Sequence, residues 1–302
     1  MESQLVSLSR ELSELSASVS PSVVAVEGRR RMFSSGVHWR KNLIVTAEHT
    51  IRRDENIKIV LPDQKEVSAK LVGRDPGTDI ALLQIENLGT PVITSELPKD
   101  IHVGEITLIV ARSPNSGPNV SMGIIGAVSG PWRTWRGGNL DKYIRLDATI
   151  FPGASGGVVV NYEGKTIGIA TSALSRVAGL AIPAASVEKV VDALLKHGMV
   201  PQGFIGVGLQ QVLLPESFQK TLSLKTQYGL MVFSVEESGP AAKGGILVGD
   251  ILLELDGKII SSIEDLQSML TQETIGKSME LKTIRGGEIK KTPVKIGERT
   301  RG

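Results

Sequence analysis

The sequence predicts a mainly β protein in two domains, a large one made of two packed β-barrels and a smaller one of strands and helices. Three observations predict it. Thirty-three glycines in 302 residues punctuate a dense series of short Val/Ile-rich runs. No long helix interrupts those runs between Val23 and Ser172. The stretch Gly198-Met199-Val200-Pro201-Gln202-Gly203 reads as a linker, after which a second strand-rich segment begins. An apolar content of 41% with 22% charged residues is ordinary for a globular chain, and only 4% aromatics leaves aliphatic packing to fill the cores.

In chain order, Leu5, Leu8, Leu12 and Leu15 recur at three and four residues, which predicts an amphipathic helix over 1–18 that Pro21 ends. Residues 1–20 are thus an N-terminal helical segment, either packed on its own domain or forming a short oligomer contact. Strands are expected at 23–27, 43–47, 57–62, 66–73, 80–85, 105–111, 121–129, 143–148, 157–161 and 166–172, most bounded by Gly, Pro, Asn or Asp. Antiparallel strands at this spacing suit two barrels with a cleft between them. After Pro183, Val187, Val190, Val191, Leu194 and Leu195 share a helical face, with Ser186 as the expected N-cap and Gly198 as the stop. The large domain is placed at 21–198 and the small one at 203–298. In the latter, Ser262 with Asp265 reads as a capping box opening a helix that carries Ile263, Leu266 and Leu270.

Composition excludes several classes. A net charge of +2 implies no nucleic-acid partner, and Arg29-Arg30-Arg31 reads as a solvated loop. With no cysteine there is no disulfide framework, and the four histidines lack ligand spacing, so no metal or other cofactor is expected. His38, His102 and His197 are expected at the surface or at a helix end. No apolar run reaches the roughly 18 residues that span a bilayer, and the N-terminus shows no leader pattern.

The chemistry lies in three short runs. Ser155 stands in Pro152-Gly153-Ala154-Ser155-Gly156-Gly157, a glycine turn suited to presenting a nucleophilic hydroxyl. His49 follows the apolar run Leu43-Ile44-Val45-Thr46-Ala47 and would reach a cleft from a strand end as general base. Asp79, in Asp75-Pro76-Gly77-Thr78-Asp79-Ile80-Ala81-Leu82-Leu83, would orient that imidazole. Histidine, aspartate, serine is the chain order of one of the known acyl-transfer triads. The glycines would let the backbone N–H groups of Gly153 and Ser155 converge on an oxyanion, each donor contributing about 3 kcal/mol in comparable sites.

These runs, together with Gly179-Leu180-Ala181-Ile182-Pro183 and the C-terminal segment, resemble the HtrA (Deg) family of serine proteases over nearly the whole chain. The resemblance implies a chymotrypsin-like double β-barrel protease domain followed by one PDZ domain. Gly203-Phe204-Ile205-Gly206-Val207 resembles the loop with which such domains bind peptide carboxylates, and Gly245 to Leu252 follows in PDZ-like order. Further implications are a substrate pocket and pairing strand at Ala170, Thr171, Ser172, Val177, Ala178 and Gly179, unfolded polypeptide substrates, peptide C-termini as PDZ ligands, a homotrimer, and an extracytoplasmic location. A leader or membrane tether would then lie outside the given chain. Two runs depart from the family pattern: Ala154 stands where Asn is usual, and Ala111 to Gly117 replaces a Gly-Asn-Pro-Phe-Gly type of run. Trp132-Arg133-Thr134-Trp135-Arg136 is open between a sensor loop and a surface turn. The competing reading is a catalytically silent PDZ adaptor or holdase chaperone.

Overall fold

A computed structural model describes residues 3–29, 32–86, 89–93 and 96–298, which form two compact units divided after Val200. Arg30 and Arg31 of the basic run lie outside the described residues. The first unit opens with helix α1 (Gln4–Val19), whose Leu12 and Leu15 pack onto the main core while Leu5 and Leu8 stay exposed. A 3-10 turn at Ser20–Ser22 then leads into the first strand.

Strands β1 (Val23–Arg29), β2 (Met32–Arg40), β3 (Leu43–Ala47), β4 (Ile57–Val60), β5 (Glu66–Asp75) and β6 (Ile80–Gln84) close an antiparallel barrel in the order β1-β2-β3-β6-β5-β4. A second barrel is made by β7 (Ile106–Ser113), β8 (Gly117–Ser129), and, beyond the small hairpin β9 (Trp132–Arg133) and β10 (Asn139–Leu140), by β11 (Tyr143–Asp147), β12 (Val158–Asn161), β13 (Thr166–Thr171) and β14 (Gly179–Pro183). Each barrel has its own aliphatic core, around Ile44, Ile57 and Ile59 in one and Ile109, Ile144 and Ile167 in the other. A third core joins them: Val37, Val45 and Leu82 of the first barrel meet Val110, Val158 and Ile169 of the second under helix α2 (Ala184–His197). Burying such side chains fully is worth about 2 kcal/mol each, and those of the seam are buried as fully as those inside the barrels.

Three expectations are corrected here. β2 and β14 are strands where the sequence predicts none; β2 hides its role because its buried interior includes Ser34, Ser35 and Gly36 rather than an apolar run. Ser186 is not the N-cap of α2: Pro183 occupies that position, and the Ser186 hydroxyl donates to Asp141 Oδ2 at 2.9 Å. His38 is not at the surface. It is buried in β2, its Nδ1 3.0 Å from the Thr90 hydroxyl, and burial lowers its pKa below the ordinary imidazole value. Gly198 ends α2 in the left-handed conformation, as expected of a helix stop.

The second unit consists of β15 (Gly203–Phe204), β16 (Val207–Leu213), α3 (Glu216–Thr221), β17 (Tyr228–Val235), α4 (Pro240–Gly244), β18 (Ile251–Leu255), β19 (Lys258–Ile259), α5 (Ile263–Met269), β20 (Ser278–Arg285), β21 (Glu288–Lys295) and β22 (Gly297–Glu298). Its sheet runs β16-β17-β18-β20-β21, which leaves β16 at an edge beside α5. The expected capping box forms: Ser262 accepts from Asp265 N and the Asp265 carboxylate accepts from Ser262 N. Asp250 anchors the far side, taking two 2.7 Å bonds from Arg285 and one from Leu247 N; burial opposes its ionisation, but these donors win and hold its carboxyl below the ordinary value.

Candidate active site

His49 lies in the 3-10 turn Glu48–Thr50 that follows β3, and Asp79 ends the turn before β6. Asp75 shapes that turn by accepting from Gly77 N, Thr78 N and the Thr78 hydroxyl, so Asp79 emerges at a positive φ of 62° that non-glycine residues seldom adopt. Its main-chain carbonyl accepts from Glu48 N at 3.0 Å. Its fully buried carboxylate accepts from His49 N at 2.8 Å, lies 2.9 and 3.0 Å from His49 Nδ1, and takes a short bond from the Thr171 hydroxyl. An ionised carboxylate only accepts, so against it Nδ1 is the donor, and a neutral imidazole in that tautomer presents a lone pair at Nε2. Arg136 Nη1 approaches from the loop after β9, 3.3 Å from Glu48 Oε2 and 3.8 Å from Asp79 Oδ1, with its guanidinium over the Trp135 ring.

Ser155 is brought to the same seam from the second barrel. Gly156 N donates to Ala170 O, one residue before the threonine that bonds Asp79. A side chain at Gly156 would come within 2.0 Å of Ser35 O and 3.0 Å of Ala47 N, at the end of the strand that leads to His49. Ser155 is nearly buried, and its Oγ lies 3.1 Å from Ser172 Oγ; among the described residues no hydrogen bond joins it to His49.

The peptide groups of this turn divide into two sets. Ala154 N donates to Phe151 O at 2.9 Å with Gly153 at φ 92°, a type II turn with proline and glycine in its central positions. Gly157 N donates to Ala154 O and Gly156 N to Ala170 O. The amides of Gly153 and Ser155 have no acceptor among the described residues. They are the two that the sequence singled out as oxyanion donors.

The residues expected to form a pocket are scattered in role. Ala170 belongs to the core of the second barrel, Thr171 is committed to Asp79 and Ser172 to Ser155. Gly179 faces Ile150, Ala178 N and Val177 N donate to Ser175 Oγ, and the Val177 side chain is 94% exposed, at the tip of its loop. A cavity of about 430 Å³ opens elsewhere against the turn, lined by Phe33, Ala111, Val120, Phe151, Pro152 and Gly153. The sequence places Thr171 and Ser172 on the substrate strand without showing their bonds to Asp79 and Ser155, and it gives no sign of Ser35, because single hydroxyls carry no pattern.

In the second unit, Gly203 N donates to Leu270 O, Ile205 O accepts from Ala241 N at 2.8 Å and Gly206 O from Glu236 N at 2.9 Å. Gly206 has φ 79°, and the amides of Ile205 and Gly206 have no acceptor among the described residues. Ile205 is a core anchor, Phe204 and Val207 are half-buried, and edge strand β16, which begins at Val207, lies beside α5. No group of histidines and acids among the described residues could hold a metal ion, and no described helix is long and apolar enough to cross a membrane.

The chain matches the trypsin-like peptidase domain family over residues 34–169 and the PDZ domain family over residues 203–296. A probable periplasmic serine endoprotease, DegP-like, of Pseudomonas fulva is 33% identical over 95% of this chain, and one of Rickettsia prowazekii 32% over 84%; the chain spans only 61% and 50% of their lengths. Among solved structures, the serine endoprotease from Yersinia pestis is 30% identical with a TM-score of 0.74, covering 95% of this chain and 98% of its own. The HtrA-type protease AlgW with decapeptide has a TM-score of 0.75 at 27% identity, covering 96% of this chain and 99% of its own.

Proposed function

The chain belongs to the HtrA family of trypsin-like serine proteases with a PDZ domain, and from that premise we propose that it is a serine endopeptidase acting on unfolded polypeptides. The observation that carries the proposal is the pairing of a buried Asp79 bonded to His49 with a serine turn in which the Gly153 and Ser155 amides have no acceptor among the described residues.

In the proposed reaction, His49 Nε2 takes the Ser155 Oγ proton as the oxygen attacks the scissile carbonyl. Asp79 holds the imidazole in the Nδ1–H tautomer and stabilises the imidazolium. The tetrahedral oxyanion is received by Gly153 N–H and Ser155 N–H. His49 then gives its proton to the departing amine, leaving an acyl-Ser155 ester; a water, deprotonated by His49, hydrolyses that ester and restores the serine. For attack, Ser155 Oγ must leave Ser172 and meet His49.

Further parts of the reading are that the substrate pairs along Ala170 to Ser172, with Val177 to Gly179 bordering the primary pocket. The PDZ unit receives a peptide C-terminus at the Ile205 and Gly206 amides, the peptide extending β16 as an added strand against α5. A role in protein quality control, an extracytoplasmic location and a homotrimer follow by family analogy. The Ser155–Ser172 bond favours a second reading, a silent PDZ adaptor or holdase, in which the serine stays turned away. Incubation with casein, with and without peptides ending in an apolar carboxylate, separates the two: cleavage by the wild type and none by Ser155→Ala is expected, and no cleavage by a folded wild type in any condition would favour the scaffold.

A further inference from the structure

We propose that Ser35, in the first barrel, is a positioning residue for the acyl-transfer step, holding the nucleophile turn so that the Gly153 and Ser155 amides stay unpaired and available. The inference rests on the protease reading and adds to it a residue that does not touch the reacting atoms.

Ser35 is fully buried on β2 and engages the turn twice. Its main-chain N–H donates to Ser155 O at 3.0 Å, and its hydroxyl lies 2.8 Å from Gly153 O across 118 residues of sequence. The direction of that hydroxyl is set by what surrounds it. Arg112 N–H donates into Ser35 Oγ at 3.0 Å, which occupies a lone pair, and the alternative acceptor, Arg112 O, is farther away at 3.4 Å. A hydroxyl has one hydrogen to give, and the shorter contact takes it, so Ser35 donates to Gly153 O. The Ser35 carbonyl is likewise fixed, accepting from the Thr46 hydroxyl at 2.6 Å. Arg112 itself is buried, with Nε donating to Val23 O at 2.5 Å and Nη2 to Ser20 O at 2.9 Å, so the strand end that aims Ser35 is tied to the start of the first barrel.

The consequence is seen peptide by peptide. The Gly153–Ala154 peptide is held at both ends, its C=O by Ser35 Oγ and its N–H by Phe151 O. The Ser155–Gly156 peptide is held likewise, its C=O by Ser35 N–H and its N–H by Ala170 O. The Ala154–Ser155 peptide has its C=O held by Gly157 N–H, which leaves the Ser155 N–H outward and unpaired. Without the Ser35 hydroxyl, Gly153 O loses its partner, and the Gly153–Ala154 peptide can rotate to find another; the Gly153 N–H belongs to the preceding Pro152–Gly153 peptide, and its aim then loosens through the glycine, at φ 92°, that joins the two planes.

The test is steady-state cleavage of a fluorogenic peptide by wild type, Ser35→Ala and Ser35→Cys, with thermal melts of each. Ser35→Ala keeps the main-chain bond to Ser155 and removes only the hydroxyl. Its kcat should fall by about ten- to a hundredfold, short of the loss of a whole oxyanion donor, with KM within about twofold and the midpoint of the pH–rate profile unmoved. Ser35→Cys, a weaker donor of similar size, should lie between the two. A kcat for Ser35→Ala equal to that of an active wild type overturns the brace and leaves the protease reading standing; an inactive, folded wild type overturns both. A shift of the pH midpoint, or a KM that rises with no change in kcat, would also overturn it. Should Ser35→Ala fail to fold, Ser35→Cys decides alone, and full retention of kcat in it counts against the proposal.

Discussion

The turn at Gly153–Gly157 and the loop at Gly203–Val207 treat their peptide groups alike. Each spends carbonyls on bonds to neighbouring elements, Gly153 O and Ser155 O on Ser35, Ile205 O and Gly206 O on Ala241 N and Glu236 N, and each has two amides with no acceptor among the described residues. Each also uses a glycine at positive φ, Gly153 at 92° and Gly206 at 79°. In the proposed function both serve as nests for a negative oxygen. They differ in what stands beside the nest. The first has a serine hydroxyl within the turn and an Asp79–His49 couple across the barrel seam, so the negative oxygen it suits is one that forms during a reaction. The second has an edge strand and a helix, which on the proposed reading suit a carboxylate that arrives already charged at the end of a chain. An amide nest selects for charge, and the neighbouring side chains decide whether that charge is made or merely held.

The largest expected effect comes from removing the neighbour that makes the first nest reactive. Ser155→Ala should lower kcat/KM for a peptide substrate by about 10⁴-fold or more, while titration calorimetry of an apolar C-terminal peptide with the PDZ unit stays unchanged. Gly156→Ala attacks the turn itself: a Cβ 2.0 Å from Ser35 O at φ 87° cannot be accommodated without displacing β2, and a hundredfold or greater loss of kcat with a lowered melting temperature is expected. The counterpart in the second nest is milder. Gly206→Ala meets its nearest atom at 3.3 Å, so the cost is mainly the positive φ, about 1–2 kcal/mol, and peptide affinity measured by calorimetry should fall about tenfold.

Two smaller effects sharpen the contrast through electrostatics. Asp250→Asn removes the carboxylate that Arg285 and Leu247 hold, and should destabilise the second unit by about 1–3 kcal/mol at pH 7 in urea melts. Because the folded carboxyl is held below its ordinary value, its contribution is present above about pH 4 and lost as pH falls through the folded value, so the gap between wild type and variant should narrow at pH 3. Burial lowers the folded pKa of His38, so the unfolded chain takes up the proton first and the first unit should weaken as pH falls below about 6.5, an effect that His38→Gln should reduce.

What could be read in the sequence was local. Ser155, His49 and Asp79 each announce themselves within a run of a few residues, a glycine turn or a strand end, and the runs of Val and Ile mark most of the strands that carry them. The long-range contacts left no such mark. Ser35 reaches Gly153 across 118 residues, and Thr171 reaches Asp79 across 92. β2 escaped because a strand lining a crowded seam uses Ser34, Ser35 and Gly36 where an apolar run would not fit, and His38 was placed outside because nothing near it in sequence points to Thr90. Ser186 looks like a helix cap and instead serves Asp141, which arrives from the turn before β11.

The central claim, that Ser155 is a nucleophile set between a working base and a formed amide nest, is tested most directly by exposing the intact protein to a fluorophosphonate and locating the adduct by mass spectrometry. The account predicts one stoichiometric adduct, on Ser155, reduced by orders of magnitude in His49→Ala. A folded protein that takes up no label at Ser155, or labels equally without His49, would contradict it.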